Sequence, residues 1–100
     1  MQIIKQKSDP DLLKLVKATN DFALADGALP RKIKFLIAMA LDASEGAVEG
    51  VRSLAEQSME ARATREEIVE TLRVAQYICG LGSVYTAAWA FKGLFVHDSI

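Results

Sequence analysis

This sequence predicts an all-α fold of five, at most six, helices. Apolar residues recur three and four apart along most of the chain, the spacing that gathers them on one face of a helix. Capping residues, glycines and prolines interrupt that pattern between its segments. Nothing alternates with period two for long enough to make a strand. No repeat, linker or low-complexity stretch divides the 100 residues, so the chain reads as one domain over residues 1–100.

Ser8-Asp9-Pro10-Asp11 opens the first helix: a capping side chain, then a proline where a missing N–H costs little. Leu12, Leu15, Val16, Phe22 and Ala23 form its apolar stripe, and Gly27 is expected to stop it in a left-handed conformation. Ala28-Leu29-Pro30 leads into the second helix, striped by Ile33, Leu36, Ile37, Ala40 and Leu41. Asp42-Ala43-Ser44-Glu45-Gly46 reads as a break or a cap. The third helix then runs to about Ala61, with Ala47, Val51, Leu54, Ala55 and Ser58 on one face. Thr64-Arg65-Glu66-Glu67 has the form of a capping box: a threonine hydroxyl meets the Glu67 N–H and the Glu67 carboxylate reaches back. The fourth helix carries Ile68, Leu72, Ala75 and Ile78. Gly80-Leu81-Gly82-Ser83 interrupts it, and Val84, Ala87, Ala88, Phe91 and Phe95 mark the fifth. Many alanines and few aromatics imply close helix–helix packing.

Apolar residues make up 51% of the chain, more than one small domain hides easily. Part of that surface is therefore expected at an interface between copies, and the protein is expected to be a homo-oligomer. Twelve basic against 13 acidic residues leave a net charge of −1 with no basic block, which argues against a nucleic-acid partner. No apolar run is long enough to cross a membrane, and no apolar leader opens the chain. Cys79 is the only cysteine, so an internal disulfide is impossible, and a lone thiol suits a reducing cytoplasm, the expected location.

Few residues offer chemistry. His97, the only histidine, reads as a surface residue near a chain end, and one His with one Cys makes no metal site. Cys79 closes a helix, where the partial negative charge disfavours a thiolate, so it reads as a small buried hydrophobe. Gly80-Leu81-Gly82-Ser83 lacks the lysine and preceding strand of a nucleotide loop and reads as a turn. Asp42, Glu45 and Glu49 share one face if the second helix flows into the third, with Arg52 and Glu56 extending it. Such carboxylates suit acid–base work when burial shifts one of them; a solvated face is the plainer reading. Tyr77, Tyr85 and Trp89 suit a pocket or interface, or at helical spacing simply the core.

From Leu29 to Phe95 the chain resembles the carboxymuconolactone decarboxylase family, which includes the alkylhydroperoxidase D-type enzymes. The residues that carry the resemblance are Leu36-Ile37-Ala38-Met39-Ala40-Leu41, then Met59-Glu60-Ala61-Arg62-Ala63-Thr64-Arg65-Glu66-Glu67-Ile68. Ala75 to Gly80 and the alanine-rich last helix also fit. The resemblance implies an alkylhydroperoxidase D-like helical domain assembled as trimers or hexamers, without metal, flavin or haem. It also implies a lost chemistry. Peroxidase members carry Cys-x-x-Cys-x-x-x-His ahead of a Gly-Ala-Thr turn, and those three places fall on Ala47, Gly50 and Leu54. The acid that assists proton transfer falls on Phe35 and the turn glycine on Arg62. Decarboxylase members place a histidine at the position of Leu54 and an acid at that of Gly50. A dithiol reaction needs one thiolate to attack and another thiol to resolve, and neither branch's chemistry survives these substitutions. Two readings follow. In one, Glu45 and Glu49 are the catalytic candidates, with Tyr85 as a ligand-binding residue, acting on a small organic ligand. In the other, the chain is a non-catalytic oligomeric binding or scaffold module.

Overall fold

The computed structural model describes residues 9–94; Phe95 and His97 lie outside them. Its elements are α1 (Pro10–Leu24), α2 (Arg31–Ser44), α3 (Val48–Glu60), α4 (Arg65–Cys79) and α5 (Gly82–Ala90), with no strand among the described residues. The predicted helices are present in the predicted order.

Local chemistry explains most of the boundaries. Asp9 caps α1, its carboxylate accepting the Leu12 N–H at 3.0 Å, and Pro10 occupies the first turn. The helix ends earlier than Gly27, at an extended Ala25, and Gly27 takes no left-handed conformation. Instead Asp26 accepts the Arg31 N–H at 2.7 Å and Lys34 Nζ donates to the Ala25 carbonyl at 2.6 Å, which pins the α1–α2 joint to the start of α2. Gly46 (φ +77°) breaks α2 from α3. Asp42, Glu45 and Glu49 therefore do not share one continuous helical face, as an unbroken helix would have required.

The α3–α4 joint is a Schellman turn. The Arg62 N–H donates to the Met59 carbonyl at 2.9 Å and the Ala63 N–H to the Ser58 carbonyl at 2.8 Å. Arg62 itself sits at φ +78°, the left-handed region where glycine is at ease and an L side chain costs about 1–2 kcal/mol. Thr64 and Glu67 then form the expected capping box: Thr64 Oγ1 accepts the Glu67 N–H at 3.0 Å and Glu67 Oε1 accepts the Thr64 N–H at 2.8 Å. Lys32 Nζ reaches the other Glu67 oxygen at 2.9 Å, so one carboxylate caps α4 and ties it to α2.

Helices α2 to α5 share one core built on Met39, Val51 and Ile68, all fully buried, with Leu36, Leu72 and Phe91 around them. Alanines fill the contacts between helices: Ala43, Ala55, Ala87 and Ala90 are buried to 1% exposure or less. Two buried hydroxyls are satisfied inside their own turns, Ser58 on the Ala55 carbonyl at 2.7 Å and Ser83 on the Gly80 carbonyl at 2.9 Å. Arg52 of α3 donates to the carbonyls of Ala90 (3.2 Å) and Lys92 (2.8 Å), closing the end of α5. Helix α1 stands apart. It contains no buried residue, and its packing within the chain is against α2.

Candidate functional site

The first turns of α3 are where the resemblance places the family's reactive groups. Ala47 is the N-cap residue, Gly50 lies one turn in and Leu54 one turn beyond, so the three share a face. All three are half-buried, and Leu54 packs against the core. Facing Gly50 is the carboxylate of Asp42, from the last turns of α2. A Cβ on residue 50 would collide with Asp42 Oδ2 and lie 2.9 Å from its Cγ. The glycine leaves room for the approach of α2's side chain, which would otherwise have to turn aside. Asp42 also holds the joint through its backbone, its carbonyl accepting the N–H groups of Glu45 (3.1 Å) and Ala47 (3.0 Å). Sequence reasoning grouped Asp42 with the two glutamates and missed this pairing. The available signal was Gly50 itself, since a glycine inside a helix costs about 0.5–1 kcal/mol and often marks a close approach.

Among the described residues this face carries no thiol, no imidazole and no second carboxylate. Asp42 lies at the amino end of α3, which has no side-chain cap of its own, and a negative charge there meets the positive end of the helix dipole. The arrangement supports α3; its one reactive group is the Asp42 carboxylate. Glu45, the residue that follows α2, and Glu49, in the first turn of α3, are both exposed. Phe35, at the place of the family's acid, is buried, with the Arg31 guanidinium 5.2 Å from its ring centre.

The remaining candidates lie on the outside. Cys79 is exposed, not the small buried hydrophobe expected, because the last turn of α4 runs past the core; Tyr77 and Ile78 beside it are exposed as well. Tyr85 and Trp89 were expected in a pocket, an interface or the core. They are 62% and 65% exposed, with Lys92 Nζ 5.2 Å from the Trp89 ring. Among the described residues no group of three His, Cys, Asp or Glu is placed to hold a metal ion.

Two grooves flank α4. One, about 450 Å³, lies between α4 and α5. Val69, Leu72, Val84 and Ala87 contribute its apolar lining and Arg65, Glu66, Glu70, Arg73 and Gln76 its polar one. Tyr85 is next to one of these residues in sequence but does not line the groove. The other, about 330 Å³, lies between α2 and α4 and is lined by Ile33, Leu36, Ile37, Ala40 and Leu41 with Thr71 and Val74; no charged residue lines it.

With this geometry in place, comparison with known proteins gives a consistent answer. The carboxymuconolactone decarboxylase family model matches residues 10–92. The chain belongs to the carboxymuconolactone decarboxylase family. The fold agrees with the crystal structure of an apo carboxymuconolactone decarboxylase family protein from Legionella pneumophila. The TM-score is 0.82 at 35% identity, over 88% of this chain and 79% of that one. An uncharacterised protein from Cupriavidus necator is 30% identical over 94 residues, 94% of this chain and 80% of its own length. Among the described residues no helix is long and apolar enough to cross a membrane.

Proposed function

We propose that this family member is a homo-oligomer, a trimer or hexamer, that binds a small organic ligand without dithiol peroxidase or histidine-borne decarboxylase chemistry. The observation that carries this is the face of α3 formed by Ala47, Gly50 and Leu54, where the one functional group is an Asp42 carboxylate packed against a glycine. The α4–α5 groove supports the binding role. Its volume, about 450 Å³, falls in the range of small-molecule sites, and it combines an apolar lining with charged and amide groups that can orient a ligand. Glu45 and Glu49 are exposed and line neither groove, which favours binding over catalysis by those carboxylates. The setting that suits an exposed free thiol at Cys79 is a reducing cytoplasm.

Native mass spectrometry of the purified protein, with a hydroperoxide-consumption assay beside it, tests the proposal. The expected result is an oligomer that carries or accepts a small organic adduct, loses it on Val69→Trp, and shows no thiol-dependent turnover. Adduct retention is expected to survive Glu45→Gln and Glu49→Gln. Turnover of an alkyl hydroperoxide that disappears on Cys79→Ser would overturn the proposal.

A further inference from the structure

Helix α1 is a 15-residue helix with no buried residue. Isolated helices of about this length are marginal in water, so its helical form calls for a packing partner. Among the described residues its main packing is a flank on α2. Leu13, Val16 and Leu24 are half-buried, whereas Leu12, Leu15 and Phe22 form a second, outward stripe in which Leu15 is 64% and Phe22 86% exposed. Thr19 falls within this stripe, but its hydroxyl is already bonded to the Leu15 carbonyl at 2.9 Å. The outward stripe therefore carries no charge and no unmet hydroxyl.

The α2–α4 groove has the matching character. Ile37, Leu41 and Val74 along it are 46%, 62% and 66% exposed, and Ile78 continues the row one turn along α4. We infer that the outward stripe of α1 from one copy of this chain seats in the α2–α4 groove of the next, a contact that rests on the homo-oligomer proposed above. Leu12 to Phe22 extends about 15 Å and Ile33 to Leu41 about 12 Å at 1.5 Å per residue, so the arm fits the groove end to end. The chain's own α1 cannot fill it. The joint is held to the start of α2 by Asp26 and Lys34, and no α1 residue lines the groove. The other groove is the poorer receptor, because four charged side chains line it and the stripe offers them nothing. Each copy contributes both an arm and a groove. Seven large side chains (Leu12, Leu15, Phe22, Ile37, Leu41, Val74 and Ile78) at about 60–120 Å² apiece give roughly 400–800 Å² of apolar cover per copy. Each arm-to-groove contact buries that area summed over both partners, a quarter to a half of the about 1,600 Å² in total that a standard interface buries, so other contacts between the copies accompany it. An arm-to-groove contact is head-to-tail, and such a contact makes a closed ring, a trimer among them, when the rotation between copies closes.

Light scattering on three proteins tests this: the unaltered chain, an arm variant (Leu15→Glu with Phe22→Glu) and a groove variant (Val74→Glu). None of the altered residues is buried in the single chain, so the core of α2 to α5 keeps its cooperative melt in each variant. The expected result is an oligomer for the unaltered chain and a rise of at least about 100-fold in dissociation constant for each variant. The arm variant also loses the far-ultraviolet signal of α1. Mixing the two variants restores one intact arm and one intact groove, so a one-to-one heterodimer forms. An arm variant that assembles like the unaltered chain overturns the arm contact and leaves the oligomer standing. Two monomeric variants that fail to recombine overturn the pairing of arm with groove. A monomeric unaltered chain overturns this inference and the oligomer together.

Discussion

The starts of α3 and α4 solve one problem in opposite ways. At α4 the sequence caps itself: Thr64 and Glu67 exchange hydrogen bonds, and Lys32 adds a tie to α2. At α3 no side chain caps the helix, the N-cap residue is Ala47, and to the exposed Glu49 of its own first turn is added the Asp42 carboxylate of the preceding helix, beside Gly50. The self-contained start lies in the stretch by which the family resemblance is seen. The assisted start lies where that resemblance places the chemistry. The two starts thus show scaffold capping that is local to its own segment and helix support that is borrowed from a neighbour.

The largest effect is expected at α4. Thr64→Ala is expected to cost about 1–2 kcal/mol, measured by chemical denaturation. Glu67 adds a pH signature. The Thr64 backbone N–H, followed by the Lys32 ammonium, holds its carboxyl below the ordinary glutamate range. A carboxyl lowered in the folded state contributes stability that is full above its unfolded pKa and is lost as pH falls through the folded one. Thermal midpoints are therefore expected to drop on acidification in that window, and Glu67→Gln to remove this part of the drop.

The joint between the two helices comes next: Arg62→Gly is expected to raise stability by about 1 kcal/mol by relieving the left-handed strain, measured as a shift in denaturation midpoint. The smallest net effect, and the sharpest way to break the contrast, is at Gly50. Gly50→Ala sets displacement of the Asp42 carboxylate, the far end of a side chain that can turn aside, against the about 0.5–1 kcal/mol that alanine gains over glycine in a helix, and a net change within about 1 kcal/mol is expected. In an Asp42→Ala background the same change is expected to stabilise the chain by about 0.5–1 kcal/mol, because alanine is the better helix residue. Chemical denaturation of the four proteins of that cycle measures the coupling; equal effects in both backgrounds would show that Asp42 does not govern the position.

The helices and the family were legible because they rest on short-range patterns: caps, breaks and apolar spacing that each segment carries within itself. What was not legible was where a face finds its partner. Leu15 and Phe22 have the periodicity of core residues, and so do Tyr85 and Trp89, yet all four are exposed. Periodicity says that a face wants burial and is silent on which chain supplies it. Cys79 was misplaced for a related reason, since an apolar run does not reveal that its last turn overshoots the core. At the candidate site the sequence offered Ala47, Gly50 and Leu54 where the resemblance places thiols and a histidine. The approach of Asp42 was not legible, because it depends on the sharp turn at Gly46 bringing two helices together.

The alanines between α2, α3 and α5 have a consequence for what this molecule can become. Where methyl groups fill the space between helix backbones, no side chain is left to trim, and any enlargement there drives whole helices apart. Ala43, Ala55, Ala87 and Ala90 keep those contacts closed to guests. Room inside this scaffold can come only from its few large core side chains, Met39, Ile68 and Phe91 among them, and otherwise new surface must be found on the rim or in the seams between copies.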